Sequence, residues 1–440
     1  MTFDAYAPMV DPKTAALARL VKRADEKTRY VNHSFRYFTH HAFDFATAHP
    51  VEMPGFDARS YAELICSGVY RHLYRNDPTQ ASIAGRQHRD ASRTDLGWVL
   101  GRPHGNAAIR LFGLVIRAAA RIATDRVTLD LPSFERGRAQ VPAGSRIVLV
   151  PSHRSYFDFL LASFLFFARP DLGIRIPYIA AAAEFAAIPI LGGLFTKAQA
   201  FYLRRGLRRE DPELTRRVHE LVERGEVIEF FIEGARSRSR QFLTPRTGLL
   251  RCLQGTNRSF AILPISISYD RVPEEAMLER ELSGAPKPRM RLRGFLRWTG
   301  KLLRGEVALG RVHIACASPV MLTPGAEVHA VAGQVMRGLQ ESMAVSTHHL
   351  RCFLQHAAAR DLDLAWLRAA LEKRGATVIE SELGGESDVS AVMEVSLRQQ
   401  WLAWFYPDAL RRWPDHPVLR HEAAARSWLA PTEVEETDPK

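Results

Sequence analysis

Hydrophobic and polar positions follow three different patterns along this 440-residue chain. From residue 1 to about 125, apolar residues recur every three or four positions, as in AAIRLFGLVIRAAARIA, and this period predicts amphipathic helices. From about residue 146, short apolar runs alternate with helical periods: RIVLV, IRIPYIA, QAFYL, EVIEFFI, FAILPISIS and RVHIACA. After about residue 326 the helical period returns.

Strands that alternate with helices predict an α/β fold with a mixed, largely parallel sheet flanked by helices. Residues 211–225 form one of these predicted helices, because Asp211 and Pro212 supply an N-cap and a first-turn proline and Gly225 follows its last turn. We therefore predict a helical N-terminal region (1–125), an α/β domain (126–326) and a helical C-terminal region (327–440) with a loose acidic tail.

Composition indicates a globular protein of a reducing compartment. The apolar share of 46% and the charged share of 25% are ordinary values. The four cysteines are far apart and form no CxxC pair, which argues against a disulfide framework and a zinc site: Cys66, Cys252, Cys316 and Cys352. The first residues, MTFDAYAPMVDPKT, lack the pattern of a secretory signal. The sequence also contains no uninterrupted apolar run of about 18 residues, so a membrane-spanning helix is not predicted.

The net charge of +12 predicts an anionic partner, such as nucleic acid, anionic lipid or a phosphorylated substrate. Segment 287–304, KPRMRLRGFLRWTGKLLR, contains seven Lys or Arg and no acidic residue. Its apolar residues are spaced as in a basic amphipathic helix, which would lie on a membrane surface or, alternatively, form a solvated helix face. On the first reading the protein is peripheral, on the cytoplasmic side of a membrane.

One histidine and one aspartate stand five residues apart in PSHRSYFDFLL. We expect His153 in the loop after a strand, where α/β sheets usually place ligands, and Asp158 in the first turn of the next helix. The carboxylate can then fold back onto the imidazole, fix its tautomer and leave the other nitrogen to accept a proton. A structural role is the alternative at this stage. The G-x-S-x-G turn of a serine hydrolase is absent.

Arginines gather after the next two predicted strands, in FYLRRG and FFIEGARSRSR. A guanidinium group binds phosphate through a planar pair of donors, and several arginines beside one glycine predict an anion site rather than a solvated loop. The candidate residues are Arg204, Arg205, Glu233, Gly234, Arg236, Ser237 and Arg238. In the following strand, ILPISISYD, Pro264 predicts a sheet edge or a bulge that shapes an apolar wall.

The four segments, in this order, resemble the glycerolipid acyltransferase family: H-x-x-x-x-D, F-x-x-R-R, F-x-E-G-x-R-S-R and a proline-bearing strand. The long third block, EGARSRSRQFLTPRTGLL, is similar to the glycerol-3-phosphate and dihydroxyacetone-phosphate acyltransferase branch. The resemblance covers residues 146–324. One departure is Gln199, two residues before Phe201, where that branch often has glycine.

The resemblance implies that residues 126–326 are an acyltransferase domain with His153 as general base and Asp158 as its orienting partner. Arg205, Arg236 and Arg238 would hold the phosphate of the acceptor, with Arg204 as a weaker candidate. Glu233 would bind a second acceptor hydroxyl or orient an arginine, and Pro264 would shape the acyl pocket. Backbone N–H groups near Ser152 and Ser155 would stabilise the oxyanion.

The expected function is glycerol-3-phosphate 1-O-acyltransferase, which makes lysophosphatidate from acyl-CoA or acyl-carrier protein. Dihydroxyacetone phosphate is the alternative acceptor. A non-catalytic basic protein that binds lipid surfaces is the alternative from another class. No cofactor and no nucleic acid partner are expected. No metal is expected either, because His40 and Asp44 could share a helix face but no third ligand follows.

Overall fold

The computed structural model describes residues 80–86, 95–155, 157–186, 191–203, 211–236, 242–282, 300–301, 304–354, 364–373 and 376–383. The chain divides into two compact units, Met1–Gly68 and Val69–Lys440, and every described residue belongs to the second. The predicted features at His40, Asp44, Cys66 and in the acidic tail lie outside the described residues, as does nearly all of segment 287–304.

Nine of the described strands form one sheet in the order β1-β2-β8-β7-β3-β6-β4-β5, and β9 pairs with β7. The strands are β1 (Gln80–Ala84), β2 (Thr124–Asp130), β3 (Arg146–Pro151), β4 (Tyr178–Ala182), β5 (Ala200–Leu203), β6 (Ile228–Glu229), β7 (Phe260–Tyr269), β8 (Gly310–Cys316) and β9 (Val320–Leu322). Strands β10 (Ala344–Ser346) and β11 (Thr377–Ile379) form a separate parallel pair.

Parallel pairing joins β2 to β8, β3 to β7 and β6, and β4 to β5 and β6. Strand β7 is antiparallel to both β8 and β9, and β1 is antiparallel to β2. The predicted fold class, a mixed and largely parallel sheet flanked by helices, is therefore confirmed. All ten residues of β7 are buried, which is typical of a strand covered on both faces.

Eleven α-helices accompany these strands in the described part of the chain. They are α1 (Asp95–Leu100), α2 (Ala107–Ala123), α3 (Leu131–Ala139), α4 (Asp158–Ala168), α5 (Leu191–Lys197), α6 (Pro212–Glu223), α7 (Gly248–Gln254), α8 (Glu275–Leu282), α9 (Val328–Glu341), α10 (Thr347–Leu354) and α11 (Leu364–Lys373). None of them has both the length and the apolar character to cross a membrane. The helix predicted after Asp211 is confirmed as α6, with the Asp211 side chain accepting from Glu213 N.

Two hydrophobic clusters lie on opposite faces of the sheet. Leu149 of β3 packs with residues of α2 and α4, whereas its neighbours Val148 and Val150 pack with residues of α6, α7 and α9. This alternation follows from the two-residue period of a strand. Helices α2 and α4 therefore share one face of the sheet with odd-numbered residues of β3, including the end of the strand that leads to His153.

Elements from both sides of the predicted domain boundaries pack on this sheet. Strand β1, from the predicted N-terminal region, pairs with β2, and helix α9, from the predicted C-terminal region, packs against β7 and β9. The strand β1 also departs from an all-helical reading of 1–125, in which α2 is present as expected. The division at residues 125 and 326 remains a prediction.

Candidate active site

His153 and Asp158 form a hydrogen-bonded pair at the carboxyl end of β3. Strand β3 ends at Pro151, and the loop from Ser152 leads into α4, whose first residue is Asp158. The Nδ1 atom of His153 lies 3.1 Å from Oδ2 of Asp158, so a spacing of five residues does fold the carboxylate back onto the imidazole. Asp158 is fully buried, and His153 is 8% exposed. Nε2 is the ring nitrogen that this contact leaves for proton transfer.

Asp158 is fixed by three further donors. Its Oδ2 atom accepts from the backbone N–H groups of Arg154 (2.6 Å) and Ser155 (2.7 Å). Its Oδ1 atom accepts from the hydroxyl of Tyr269 at 2.6 Å, and Tyr269 is fully buried at the last position of β7. Donors on both oxygens hold the carboxylate in one orientation, and this orientation sets that of His153.

The environment of His153 favours the neutral imidazole. Burial lowers its pKa from the ordinary value of 6.5, and the nearby positive charge of Arg236 lowers it further. The hydrogen bond and charge of Asp158 and the charge of Glu233 act in the opposite direction without reversing the shift. The ring stacks on Phe231 with centroids 4.3 Å apart. A neutral, oriented imidazole can accept a proton, as a general base requires.

A second acidic residue, Glu229 of β6, lies close enough to Asp158 for the two carboxyl groups to influence each other. Glu229 is fully buried, and neither of its carboxylate oxygens has a hydrogen-bond partner in the described part of the chain. Burial raises its pKa well above the ordinary value, and the charge of Asp158 adds to the rise. Both effects favour the protonated form of Glu229, which places no second negative charge near Asp158.

Arg154, which no sequence pattern singled out, forms a buried ion pair with Glu233. The Nη1 atom of Arg154 lies 3.2 Å from Oε1 and 3.1 Å from Oε2 of Glu233, and both side chains are 0% exposed. Glu233 also accepts from His153 N (2.9 Å) and Leu243 N (3.0 Å). Of the two roles proposed for Glu233, these contacts match orientation of an arginine. The other role, contact with an acceptor hydroxyl, stays a prediction.

The expected oxyanion donors are engaged elsewhere. Ser152 N donates to the carbonyl oxygen of Ile265 at 2.9 Å, and Ser155 N donates to Asp158. The N–H groups of His153 and Arg154 donate to Glu233 and Asp158. The prediction that N–H groups near Ser152 and Ser155 stabilise the oxyanion is therefore wrong for this structure, because the two buried carboxylates and β7 use all four donors.

The third sequence block brings Arg236 near His153. Gly234 has a φ of +69°, and a Cβ atom there would meet the Cγ atom of Arg246 at 2.9 Å, so the turn favours glycine. Arg236 follows this turn, is 6% exposed, and is close enough to His153 to lower its pKa. The remaining predicted acceptor-binding residues, Arg204, Arg205, Ser237 and Arg238, lie outside the described residues, and their roles stay predictions.

Pro264 lies inside the sheet, so of the two predicted positions, an edge or a bulge, the edge position is wrong. Strand β7 has β3 on one side, and on the other side β9 pairs with Phe260–Ile262 and β8 pairs with Ile265–Tyr269. Pro264 falls between these two ladders, where its missing N–H breaks neither of them. It lies beside Gly338 of α9, on the face opposite α4. Its role in an acyl pocket stays a prediction.

Gln199, the departure from the second block, has a φ of +72°. This left-handed conformation costs little for glycine and more for other residues, which accounts for the glycine that the related branch often has there. The strand that follows, β5, still forms and pairs in parallel with β4. The substitution therefore leaves the strand leading to the second block intact.

A small apolar cavity lies beside α4, on the same face of the sheet as Asp158. Its wall includes Phe159, the residue after Asp158, and helix α2 forms the opposite side. The lining residues are Ile109, Phe112, Gly113, Ile116, Phe159, Leu160, Ser163, Phe164, Phe167, Ile176, Ile179, Phe195, Ala198 and Ala200. Among the described residues, no group of three His, Cys, Asp or Glu side chains is placed to hold a metal ion.

Known proteins resemble the central part of the chain. The family model described as Acyltransferase matches residues 134–268. Dihydroxyacetone phosphate acyltransferase from Bos taurus is 36% identical over 224 residues, which are 49% of this chain and 32% of the relative. Glycerol-3-phosphate acyltransferase from Pasteurella multocida (strain Pm70) is 33% identical over 203 residues, which are 44% of this chain and 24% of the relative. The chain thus spans a third or less of these relatives.

A solved structure of the 1-acyl-sn-glycerophosphate acyltransferase PlsC from Thermotoga maritima is 21% identical, covering 64% of this chain and 93% of that chain, with a TM-score of 0.33. That superposition is too loose to inform the geometry of the site. The family match, by contrast, contains His153, Asp158, Glu233 and Arg236 in the arrangement described above. Residues 134–268 thus match the Acyltransferase family model, and the central part of the chain is similar to glycerol-3-phosphate and dihydroxyacetone-phosphate acyltransferases.

Proposed function

We propose that this protein is a glycerol-3-phosphate 1-O-acyltransferase, which transfers an acyl group from acyl-CoA or acyl-carrier protein to the sn-1 hydroxyl and makes lysophosphatidate. The observation that carries the proposal is the His153–Asp158 contact of 3.1 Å, with Arg236 nearby, at the carboxyl end of β3. A neutral base beside a cation suits an acceptor with a hydroxyl at one end and a phosphate at the other.

In the proposed reaction, Nε2 of His153 takes the hydroxyl proton while the hydroxyl oxygen attacks the carbonyl carbon of the thioester. The C–S bond then breaks, and the imidazolium returns the proton to the departing thiolate, giving an ester and a free thiol. General-base assistance of this kind accelerates a reaction by about 10²–10⁴-fold. Since the N–H groups of residues 152–155 are engaged, oxyanion stabilisation falls to groups outside this loop.

Arg236 is the described residue best placed to hold the acceptor phosphate. Its guanidinium offers paired donors, and its charge acts on His153, so an acceptor held there has its hydroxyl side near the base. In the proposal, Arg204, Arg205, Ser237 and Arg238 complete the phosphate site. Binding energy from the non-reacting phosphate then aligns the reacting hydroxyl.

The apolar cavity beside α4 is the proposed site of the acyl chain. It is lined mainly by aromatic and aliphatic side chains, and these include Phe159, the residue that follows Asp158 in the chain. A chain in this cavity would remove apolar surface from water and place its thioester near His153. Segment 287–304 is proposed to hold the protein at the cytoplasmic side of a membrane, where acyl chains and anionic lipids are available.

Dihydroxyacetone phosphate is a second candidate acceptor. The segment SYDRVPEEAMLERELSGAPKP resembles the dihydroxyacetone-phosphate side of the branch, and the bovine relative named for that acceptor is 36% identical over 224 residues. The two acceptors differ by two hydrogens at the central carbon, where one carries a secondary alcohol and the other a ketone. Both keep the hydroxyl and phosphate that the proposed mechanism uses.

Thioester release by the purified protein tests the proposal. Acyl-CoA and acyl-carrier-protein donors are offered with glycerol-3-phosphate, dihydroxyacetone phosphate or glycerol as acceptor, and free thiol is measured. We expect turnover with glycerol-3-phosphate and none above background with glycerol. Arg236→Ala should raise the KM for the phosphorylated acceptor at least tenfold and change kcat less, because it removes a contact to the non-reacting phosphate.

If the protein prefers dihydroxyacetone phosphate, this acceptor replaces glycerol-3-phosphate in the proposal and the mechanism stays the same. Salt-dependent adhesion to anionic vesicles without thiol release from any donor would instead support the non-catalytic, lipid-binding alternative. The variant Arg258→Ala, which removes an arginine from an exposed pair with Glu223, is the matched charge control for Arg236→Ala. Its KM for the acceptor should remain that of the unsubstituted protein.

A further inference from the structure

Strand β7 presents different residues to its two faces near the active site. Tyr269, the last residue of β7, belongs to the hydrophobic cluster on the face of α4, and its hydroxyl donates to Oδ1 of Asp158 at 2.6 Å. Because side chains alternate along a strand, Ser266, Ser268 and Asp270 point to the opposite face. All three are buried, and none is more than 2% exposed. The end of β7 therefore has a polar face directly behind the residue that fixes Asp158.

The C-terminal strand pair, β10 and β11, contacts both neighbours of Tyr269 on this polar face. The backbone N–H of Ala344, the first residue of β10, donates to Oγ of Ser268 at 3.0 Å. Ser381, two residues after the end of β11, donates through its hydroxyl to Oδ2 of Asp270. The residue before Tyr269 and the residue after it are thus each held from one strand of the pair.

Ser381 is fixed in turn by helix α10. Its backbone N–H donates to Oγ1 of Thr347 at 2.9 Å, and its carbonyl oxygen accepts from Nη2 of Arg351 at 3.0 Å. From the same helix, Nε2 of His349 lies 3.2 Å from the carbonyl oxygen of Asp270. Ser381 is 7% exposed. Because its backbone is held at both polar groups, its hydroxyl meets Asp270 at a defined position.

The main sheet supports the end of β7 from the side of β8. The pairing of β3 with β7 ends at Ile265, four residues before Tyr269, whereas the pairing of β8 continues to Tyr269. Asp270 accepts from the backbone N–H of Arg311 in β8 at 2.7 Å, and from Ser381 on the other side. Asp270 therefore joins β8 to the C-terminal strand pair at a point that the β3 ladder does not reach.

We propose that the C-terminal strand pair positions the catalytic pair through the end of β7. Its contacts on both sides of Tyr269 hold the phenolic hydroxyl within reach of Asp158. When one contact is lost, the end of β7 shifts and the donor on Oδ1 of Asp158 is misplaced. The carboxylate then orients the imidazole of His153 less firmly. The effect on turnover rests on the proposed acyl transfer.

This proposal makes Ser268, Asp270 and Ser381 positioning residues, since each acts on the site through Tyr269. Ser381 and the strand pair lie beyond residues 134–268, the part of the chain that the family model matches. Under the proposal, an active site inside that match depends on a region outside it.

Two serine-to-alanine variants test the two contacts separately. Ser381→Ala removes the hydroxyl that donates to Asp270, and Ser268→Ala removes the hydroxyl that accepts from Ala344 N. Turnover is measured as thiol release at saturating acceptor. In each variant kcat should fall about three- to tenfold, as expected for one hydrogen bond, and no further than in Tyr269→Phe.

A double variant separates positioning from a general loss of stability. If Ser381 acts through Tyr269, Ser381→Ala should lower kcat by less than about twofold in protein that already carries Tyr269→Phe, because the contact it positions is absent there. Equal falls of kcat with and without the tyrosine hydroxyl would overturn the proposal, since the two residues would then act independently.

Ser266→Ala is the matched control. Its hydroxyl donates to the carbonyl oxygen of Ser342 at 2.7 Å on the same face, but Ser266 follows Ile265, where β3 still borders β7. The variant loses a comparable buried contact, so its urea midpoint should fall as in the other two variants, whereas its kcat should remain that of the unsubstituted protein. An equal fall of kcat in Ser266→Ala would contradict the proposal, because activity would then follow stability.

The titration of His153 separates this proposal from the proposed function, because it needs no substrate. The protein is prepared with isotope-labelled histidine, the His153 resonance is identified by its loss in His153→Ala, and its titration midpoint is followed by NMR. We expect the midpoint to move in the same direction in Ser381→Ala, Ser268→Ala and Tyr269→Phe. In Ser266→Ala it should stay in place. If no donor supports thiol release but the midpoint moves in this way, the acyl-transfer proposal fails and the positioning stands. A midpoint that stays in place in both test variants refutes the positioning.

Discussion

Two consecutive residues of the loop after β3 form pairs with acids that differ in exposure and in consequence. His153 contacts Asp158 with a side chain that is 10% exposed, whereas Arg154 contacts Glu233 with both side chains 0% exposed. The first pair leaves Nε2 of the imidazole for a reactant. The second has no open side, because Arg154 also lies over the ring of Phe242 at 4.0 Å. Adjacent positions in one motif thus serve proton transfer and structural support.

The Arg154–Glu233 pair positions the His153–Asp158 pair. Glu233 binds Arg154 and also accepts from the backbone N–H of His153, so it joins the loop after β3 to the loop after β6. Asp158 likewise accepts from Arg154 N as well as from His153. A change at Arg154 or Glu233 should therefore act on stability first and on catalysis through the position of His153. A change at His153 should act on catalysis alone.

His153→Ala gives the largest expected effect on activity. Loss of the base should lower kcat by about 10²–10⁴-fold, measured as thiol release at saturating acceptor. The urea midpoint should change little, because the imidazole leaves no buried charge unpaired when it is removed. A destabilisation as large as that of a Glu233 variant would remove the distinction between the two pairs.

Glu233→Gln gives the largest expected effect on stability. The amide keeps the shape but leaves the guanidinium of Arg154 buried without a counter-charge, which costs about 3–5 kcal/mol. Urea unfolding at equilibrium measures the loss. Glu223→Gln, which removes an exposed pair with Arg258, is the control and should leave the midpoint nearly unchanged. Equal urea midpoints for both variants would show that burial of the Arg154–Glu233 pair does not affect stability.

Tyr269→Phe tests the support of Asp158 from β7. It removes one hydrogen bond to a buried carboxylate, an interaction worth about 1.5–3 kcal/mol, so kcat should fall roughly tenfold or more. The acid limb of the pH–rate profile should also move, because the carboxylate that orients His153 loses a donor. Tyr202→Phe, which removes a hydroxyl that donates to Gly192 O, is the control and should change neither. An unchanged profile would assign Tyr269 a purely structural role.

The pH dependence is the smallest expected effect. Burial lowers the pKa of His153 below 6.5, so the neutral base persists to lower pH than a solvent-exposed histidine. The acid limb of kcat/KM, which reports the free enzyme, should therefore lie below pH 6.5, with activity lost as pH falls through it. A limb above pH 6.5 would mean that the charge of Asp158, rather than burial, dominates the pKa.

The sequence determined the order of strands and helices in the central region and the closeness of His153 and Asp158. Period and short-range spacing carry that information, because helix α6 and the fold-back of Asp158 depend on residues within a few positions of one another. The nearness of Arg236 to His153, by contrast, depends on the parallel pairing of β3 and β6, which brings the carboxyl ends of the two strands to one edge. Pro264 was misplaced because its tolerance depends on a gap between β8 and β9.

Tertiary structure alone decided the partners of those polar groups that meet across long stretches of sequence. Tyr269 reaches Asp158 across 111 positions of sequence, and Glu233 reaches Arg154 across 79, so no local pattern indicates either contact. The same contacts occupy the N–H groups that the sequence left as oxyanion donors. Local propensity fixes the elements, whereas burial forces each buried polar group to find a partner, and chain packing determines which one is near.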